Sequence, residues 1–178
     1  MFVNLVSSFY INGNEKRGLV NIFFKNIALF SIALVFITLI IYNILQVNMD
    51  FGFFPSYLLF FLITTPFFII ISFCVSMFFL IILGFFIDKV KVSEFFAVIL
   101  TFNNIIFFNN SLNAMLILSD MNIIWFVYIL TIVFSLVASI FLYTGLVNYI
   151  GFSRKVSFST SIILLVINLL LFIGGTII

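Results

Sequence analysis

Charged side chains are so sparse in this chain that their spacing dictates its architecture. Lys25 to Asp50 leaves 24 uncharged residues, Asp50 to Asp88 leaves 37, Glu94 to Asp120 leaves 25, and Asp120 to Arg154 leaves 33. After Lys155 no charge follows as far as Ile178. A helix rising 1.5 Å per residue needs about 20 apolar residues to cross the hydrocarbon core of a bilayer. The intervals therefore read as membrane crossings, with helices near 26–47, 63–87, 95–118, 123–147 and 157–178.

The 37-residue interval is the one that resists a simple reading. As a single helix it would be about 55 Å long, against a bilayer core of about 30 Å. Its only break signal is Thr64-Thr65-Pro66, and proline disfavours helix in the residue before it. A hairpin there would leave only residues 53–64 for one crossing, which is too short. The expectation is an interfacial or slanted segment over 51–62, with Pro66 in the first turns of the second helix, where its missing N–H costs least.

Composition excludes most soluble functions. Of the 178 residues, 66% are hydrophobic and 7% charged, whereas a soluble domain carries about a quarter charged residues. A net charge of +2 offers no basic face for nucleic-acid phosphates. Cys74 is the only cysteine, so no intrachain disulfide forms, and the absence of histidine removes His-based metal sites and nucleophile pairs. The chain is expected to be a non-enzymatic, all-α integral membrane protein, with no cofactor.

With five crossings, residues 1–25, the 88–94 loop and the 148–156 loop share one side. They hold Lys16, Arg17, Lys25, Lys89, Lys91, Arg154 and Lys155, which is every basic residue present. The opposite side holds Asp50 and Asp120. The positive-inside rule then predicts a bundle with its N-terminus cytoplasmic and its C-terminus outside. Trp125 and Tyr128, near the outer end of helix four, fit an interfacial aromatic belt. Residues 1–25 read as a cytoplasmic segment and 26–178 as a single membrane domain. Phe2, Val3, Leu5, Val6, Phe9 and Tyr10 follow amphipathic spacing, lying on the cytoplasmic leaflet or docked on the bundle. Asn12-Gly13-Asn14 and Gly18 predict a loop before helix one. The order of apolar and basic residues does not match a cleavable signal peptide.

Every charge is expected in a loop or at a helix end, so none marks an ion path at depth. Asp88, Lys89, Lys91 and Glu94, with Arg154 and Lys155, form a possible cytoplasmic contact patch, or simply a solvated face that sets topology. Helix three carries Asn103, Asn104, Asn109, Asn110 and Asn113. At 100° per residue, Asn103, Asn110 and Asn113 fall within about 80°, with Asn109 at the edge and Asn104 pointing elsewhere. An uncompensated amide in hydrocarbon is costly, so this face meets a polar groove, a substrate path or other helices through hydrogen bonds. Ser135, Ala138 and Ser139 predict close helix packing, and Cys74 a small apolar filler.

Three stretches resemble the bacterial branch of the Yip family, the Ypt-interacting five-span membrane proteins. Phe78 to Gly84, a short charged turn and then Val92-Ser93-Glu94-Phe95-Phe96-Ala97-Val98 are similar to that family's second helix, basic turn and third span. Tyr143-Thr144-Gly145-Leu146 resembles the end of its fourth span, and Gly151-Phe152-Ser153-Arg154-Lys155 the basic loop before its last. The acidic Tyr-Gly-Pro element of eukaryotic members is absent, and no functional residue is carried over. The resemblance implies a five-span protein that organises membranes or partner proteins, in a bacterial plasma membrane. Its partners would be the bilayer and other proteins or further copies of itself. Two alternatives stay open: a small channel, permease or exporter-accessory subunit using the asparagine face, and an organelle-encoded respiratory-complex subunit.

Single cysteines replacing Lys16, Val90 and Arg154 in a Cys74→Ala background should react with an impermeant thiol reagent only from the cytoplasmic side. A cysteine replacing Asp120 should react only from outside. Labelling of both sets from one side would overturn the five-crossing topology.

Overall fold

The structure, a computed structural model, describes residues 15–39, 53–84, 91–118 and 124–177. Of these, 97% are helical and none lies in a strand. The helices are α1 (Glu15–Leu39), α2 (Phe53–Gly84), α3 (Val92–Leu118), α4 (Ile124–Thr144) and α5 (Arg154–Ile177). A π-helical turn, Gly145–Ile150, extends α4. Four stretches are long and apolar enough to cross a membrane: Val20–Leu39, Phe61–Ile82, Val92–Ile117 and Ile124–Ile150. The chain thus has the make-up of a multi-pass, all-helical membrane protein.

α3 is the centre of the arrangement. It contacts α1, α2 and α4, while α5 is held on the far side of α4. Half of its apolar span is buried inside the protein, against 11% for α2. Exposed large apolar side chains occur along α1, α2, α4 and α5, but α3 shows them only at Val92 and Ile117, near its two ends. That distribution suits outer helices whose solvent is hydrocarbon and one inner helix whose neighbours are protein.

The tightest packing gathers at one end of the bundle. Ile22 of α1, Phe95, Val98, Ile99 and Phe102 of α3, Ala138 and Leu142 of α4, Leu146 of the π turn and Phe152 after it form a buried cluster. Phe95 and Phe152 bring the starts of α3 and α5 together, with ring centroids 6.4 Å apart. Apolar side chains gain little from leaving lipid for protein, so this contact relies on close van der Waals fit. Ala138, fully buried, lets the α3 and α4 backbones approach. At the other end, Trp125 and Tyr128 stand 6.3 Å apart and Tyr128 meets Phe172 of α5 edge-on at 5.6 Å.

Three features differ from the sequence expectation. α2 is one continuous helix from Phe53, with Pro66 in its interior rather than in its first turns, and its membrane-crossing stretch begins at Phe61. A proline inside a helix costs about 3 kcal/mol, but each backbone group left unpaired in hydrocarbon costs several. Unwinding the preceding residues would therefore cost more than keeping the helix. Pro66 is exposed, which gives its ring room, and Thr65 Oγ1 donates to the Phe61 carbonyl at 2.6 Å in the same turn.

α1 begins at Glu15, so Gly18 lies within the helix and not in a loop. Lys25 accordingly sits inside the apolar span Val20–Leu39 instead of before it. A half-buried lysine so close to the end of a span can keep its ammonium near the interface by extending its stem. Cys74 is exposed, so it fills no internal gap. The amphipathic segment at 2–10, the Asn12-Gly13-Asn14 turn, Asp50 and Asp120 lie outside the described residues.

The α4–α5 connection depends on one backbone conformation. Gly151 has φ 84° and ψ 22°, and its N–H bonds the Leu146 carbonyl across the wide π turn. Phe152 N–H reaches the same carbonyl at 2.9 Å. A Cβ on Gly151 would meet nothing within 4 Å, so the requirement for glycine is purely conformational. Gly151→Ala should lower stability by about 1 kcal/mol, and Gly151→Asn by less, measured by unfolding in mixed micelles. Equal stability of all three proteins would show that the left-handed turn is not needed.

Candidate functional site

The asparagines of α3 do not form one wall. The structure divides them among three neighbours. Facing α1, Asn104 Nδ2 donates to the Asn26 carbonyl at 2.7 Å and to Asn26 Oδ1 at 2.9 Å. Asn26 Nδ2 in turn donates to Thr101 Oγ1 at 3.0 Å and to the Ile22 carbonyl at 2.9 Å. Facing α2, Asn103 Nδ2 donates to Ser72 Oγ at 3.1 Å. Facing α4, Asn113 Nδ2 and Asn109 Nδ2 both donate to Thr131 Oγ1, at 2.7 and 3.5 Å. One further link joins α4 to α5: Asn168 Nδ2 donates to Ser135 Oγ at 2.8 Å.

The contacts of α3 with α1 and α2 join residues at matching positions along their helices. α1 and α3 run parallel if consecutive helices alternate direction, and Asn26 lies 11 residues after Glu15 while Asn104 lies 12 after Val92. α2 and α3 are antiparallel on the same basis. Ser72 lies 12 residues before Gly84 and Asn103 lies 11 after Val92. Sequence reasoning singled out the α3 amides but missed Asn26, Ser72, Thr131 and Asn168. Matching polar residues at equal depth on neighbouring spans would have found them, since an amide in hydrocarbon must meet its partner at its own level.

The pairing is incomplete. Asn104 Oδ1, Asn109 Oδ1 and Asn113 Oδ1 are buried without a partner among the described residues. Thr131 Oγ1 already donates to the Val127 carbonyl at 2.9 Å. Whichever way the two carboxamides beside it face, one hydroxyl cannot pair with all four of their ends.

Asn103 and Asn110, seven residues apart and thus on nearly the same side of α3, share a groove with α1 and α2. It encloses about 590 Å³ and is walled largely by apolar side chains, with Thr64, Ser72, Asn103 and Asn110 as its polar members. Phe30 stacks on Phe68 and Phe107 along it, with centroids 4.5 and 5.0 Å apart, while Phe68 and Phe107 meet at a tilt at 5.4 Å. Asn110 is exposed and, unlike the other four asparagines of α3, makes no hydrogen bond to a described residue.

The contact patch is partly visible. Lys91 Nζ pairs with Glu94 Oε1 at 3.0 Å at the start of α3, a surface pair worth a few tenths of a kcal/mol. Asp88 and Lys89 lie outside the described residues. Arg154 and Lys155 are exposed in the first turn of α5, whose cap is Ser153: its Oγ accepts from the Val156 N–H at 3.4 Å. Cations at a helix N-terminus oppose the macrodipole, so their placement serves something other than helix stability. The Phe95–Phe152 contact puts Lys91, Glu94, Arg154 and Lys155 at one end of the bundle. Among the described residues no group of three His, Cys, Asp or Glu side chains could hold a metal ion.

No family model, curated protein or solved structure matches the chain.

Asn26→Ala and Asn104→Ala should each lower stability by about 1–2 kcal/mol, with the double variant losing less than the sum. The coupling should lie near 0.6 and below about 1.7 kcal/mol, the span seen for polar contacts between membrane helices. Strict additivity would show that the pair does not join α1 to α3.

Proposed function

We propose that the protein is a five-crossing membrane protein that works by holding membrane or protein partners, not by catalysis, with its basic end in the cytoplasm. The observation that carries this reading is the division of the α3 amides among α1, α2 and α4. Amides committed to three different neighbours build a scaffold. They do not line a continuous path from face to face, which is what a channel or permease needs.

The charged residues support the orientation. Lys91, Arg154 and Lys155 lie at the same end as Ile22, Phe95 and Phe152. A cytoplasmic position for that end follows the positive-inside rule. α5, at 24 residues, is about 36 Å long, sufficient for the fifth crossing. The same arrangement is implied by the resemblance to the bacterial Yip branch, and with it a bacterial plasma membrane. The surface left for partners is then the charged end, together with helices whose apolar side chains face outward.

Isolation from its native membrane in mild detergent should bring down a defined protein partner. Joint replacement of Lys91, Arg154 and Lys155 by Gln should reduce that recovery roughly tenfold, equivalent to about 1.4 kcal/mol of binding. The triple variant Asn103→Ala, Asn110→Ala, Asn113→Ala should retain it if folded. A solute flux in liposomes, abolished by the asparagine variant and untouched by the basic one, would instead favour transport.

A further inference from the structure

We propose that the groove between α1, α2 and α3 binds an uncharged, lipid-soluble molecule with a single apolar chain and a hydroxyl or carbonyl head, which hydrogen-bonds to Asn110. This goes beyond the scaffold reading and does not depend on it.

The volume, about 590 Å³, lies within the range of small-molecule sites. Phe67 and Ile71 of α2 line the groove and are themselves exposed, so it opens on the outside of the bundle, where hydrocarbon lies. Phe30 stacks on both Phe68 and Phe107, and the three rings form part of its wall. A ligand can therefore enter sideways from the bilayer into a preformed site.

Asn110 sets the chemistry of the head. It lies eight residues before the end of α3 at Leu118, about 12 Å along the axis and so below the headgroup level. There its amide offers donor and acceptor to nothing among the described residues, a condition that hydrocarbon penalises heavily. An alkyl chain filling the groove would leave that penalty in place. A hydroxyl or carbonyl removes it. Charge complementarity excludes the common membrane anions: no Lys or Arg lines the groove, so a phosphate or carboxylate drawn to this depth would be buried without a counter-charge.

The test uses the full chain in phosphatidylcholine vesicles with a diazirine-bearing long-chain alcohol, compared with the matching fatty acid and a diazirine-bearing phosphatidylcholine. Photolabelling by the alcohol should saturate, be displaced by unlabelled alcohol, and fall on the segments around Phe67–Ile71 and Asn103–Asn110. Asn110→Leu should cut it roughly tenfold, with Asn110→Gln restoring most of it, while labelling by the two comparison probes stays weak and unchanged. Ile71→Trp, a bulky change at an exposed rim position, should block labelling through steric filling and gives an independent check if Asn110→Leu misfolds. Non-saturating labelling, equal labelling by phosphatidylcholine or the fatty acid, indifference to both substitutions, or crosslinks joining two copies through Asn110 would each overturn the proposal.

Discussion

An amide group in hydrocarbon is costly unless it meets a partner at its own depth, and the pairs that do so organise this bundle. Hydrophobicity separates protein from water but does little to choose which apolar helix lies beside which in lipid. The polar side chains supply the choice. Asn26 with Asn104 and Thr101 selects α1, Ser72 with Asn103 selects α2, Thr131 with Asn109 and Asn113 selects α4, and Asn168 with Ser135 adds α5. Because α3 supplies one side of the first three contacts, it becomes the inner helix, in keeping with its being the most polar of the four clear spans.

How far the fold was legible follows from the same physics. Gaps between charges fall on the four apolar spans, because an unpaired charge facing hydrocarbon is costly. Their ends are less well located. Glu15 starts α1 ahead of the apolar run and Lys25 lies inside it, since a long stem lets the charge reach the interface from within a helix. Pro66 misled for a related reason: in water its disruption would end the helix, whereas in lipid the cost of bare backbone groups keeps α2 continuous. The α3 face was legible as polar but not as divided. Angles within one helix place Asn103 and Asn113 close together, and only the positions of the neighbours show that they serve different partners.

The two halves of the molecule are packed differently. At the basic end, Ile22, Phe95, Leu146 and Phe152 join in one buried cluster, and the π turn with Gly151 carries the chain from α4 to α5. Further along α3, the helices part between α1 and α2 to leave the groove beside Asn103 and Asn110.

The continuity of α2 through Pro66 carries a mechanical consequence. A 32-residue helix is about 48 Å long, well beyond an average hydrocarbon thickness of about 30 Å. An apolar rod of that length leans further in a thin bilayer and stands straighter in a thick one. With only 11% of its span buried by the rest of the protein, few contacts resist that change of lean. The helix most answerable to the surrounding membrane is thus one wall of the groove, which ties the width of that opening to the thickness of the lipid around it.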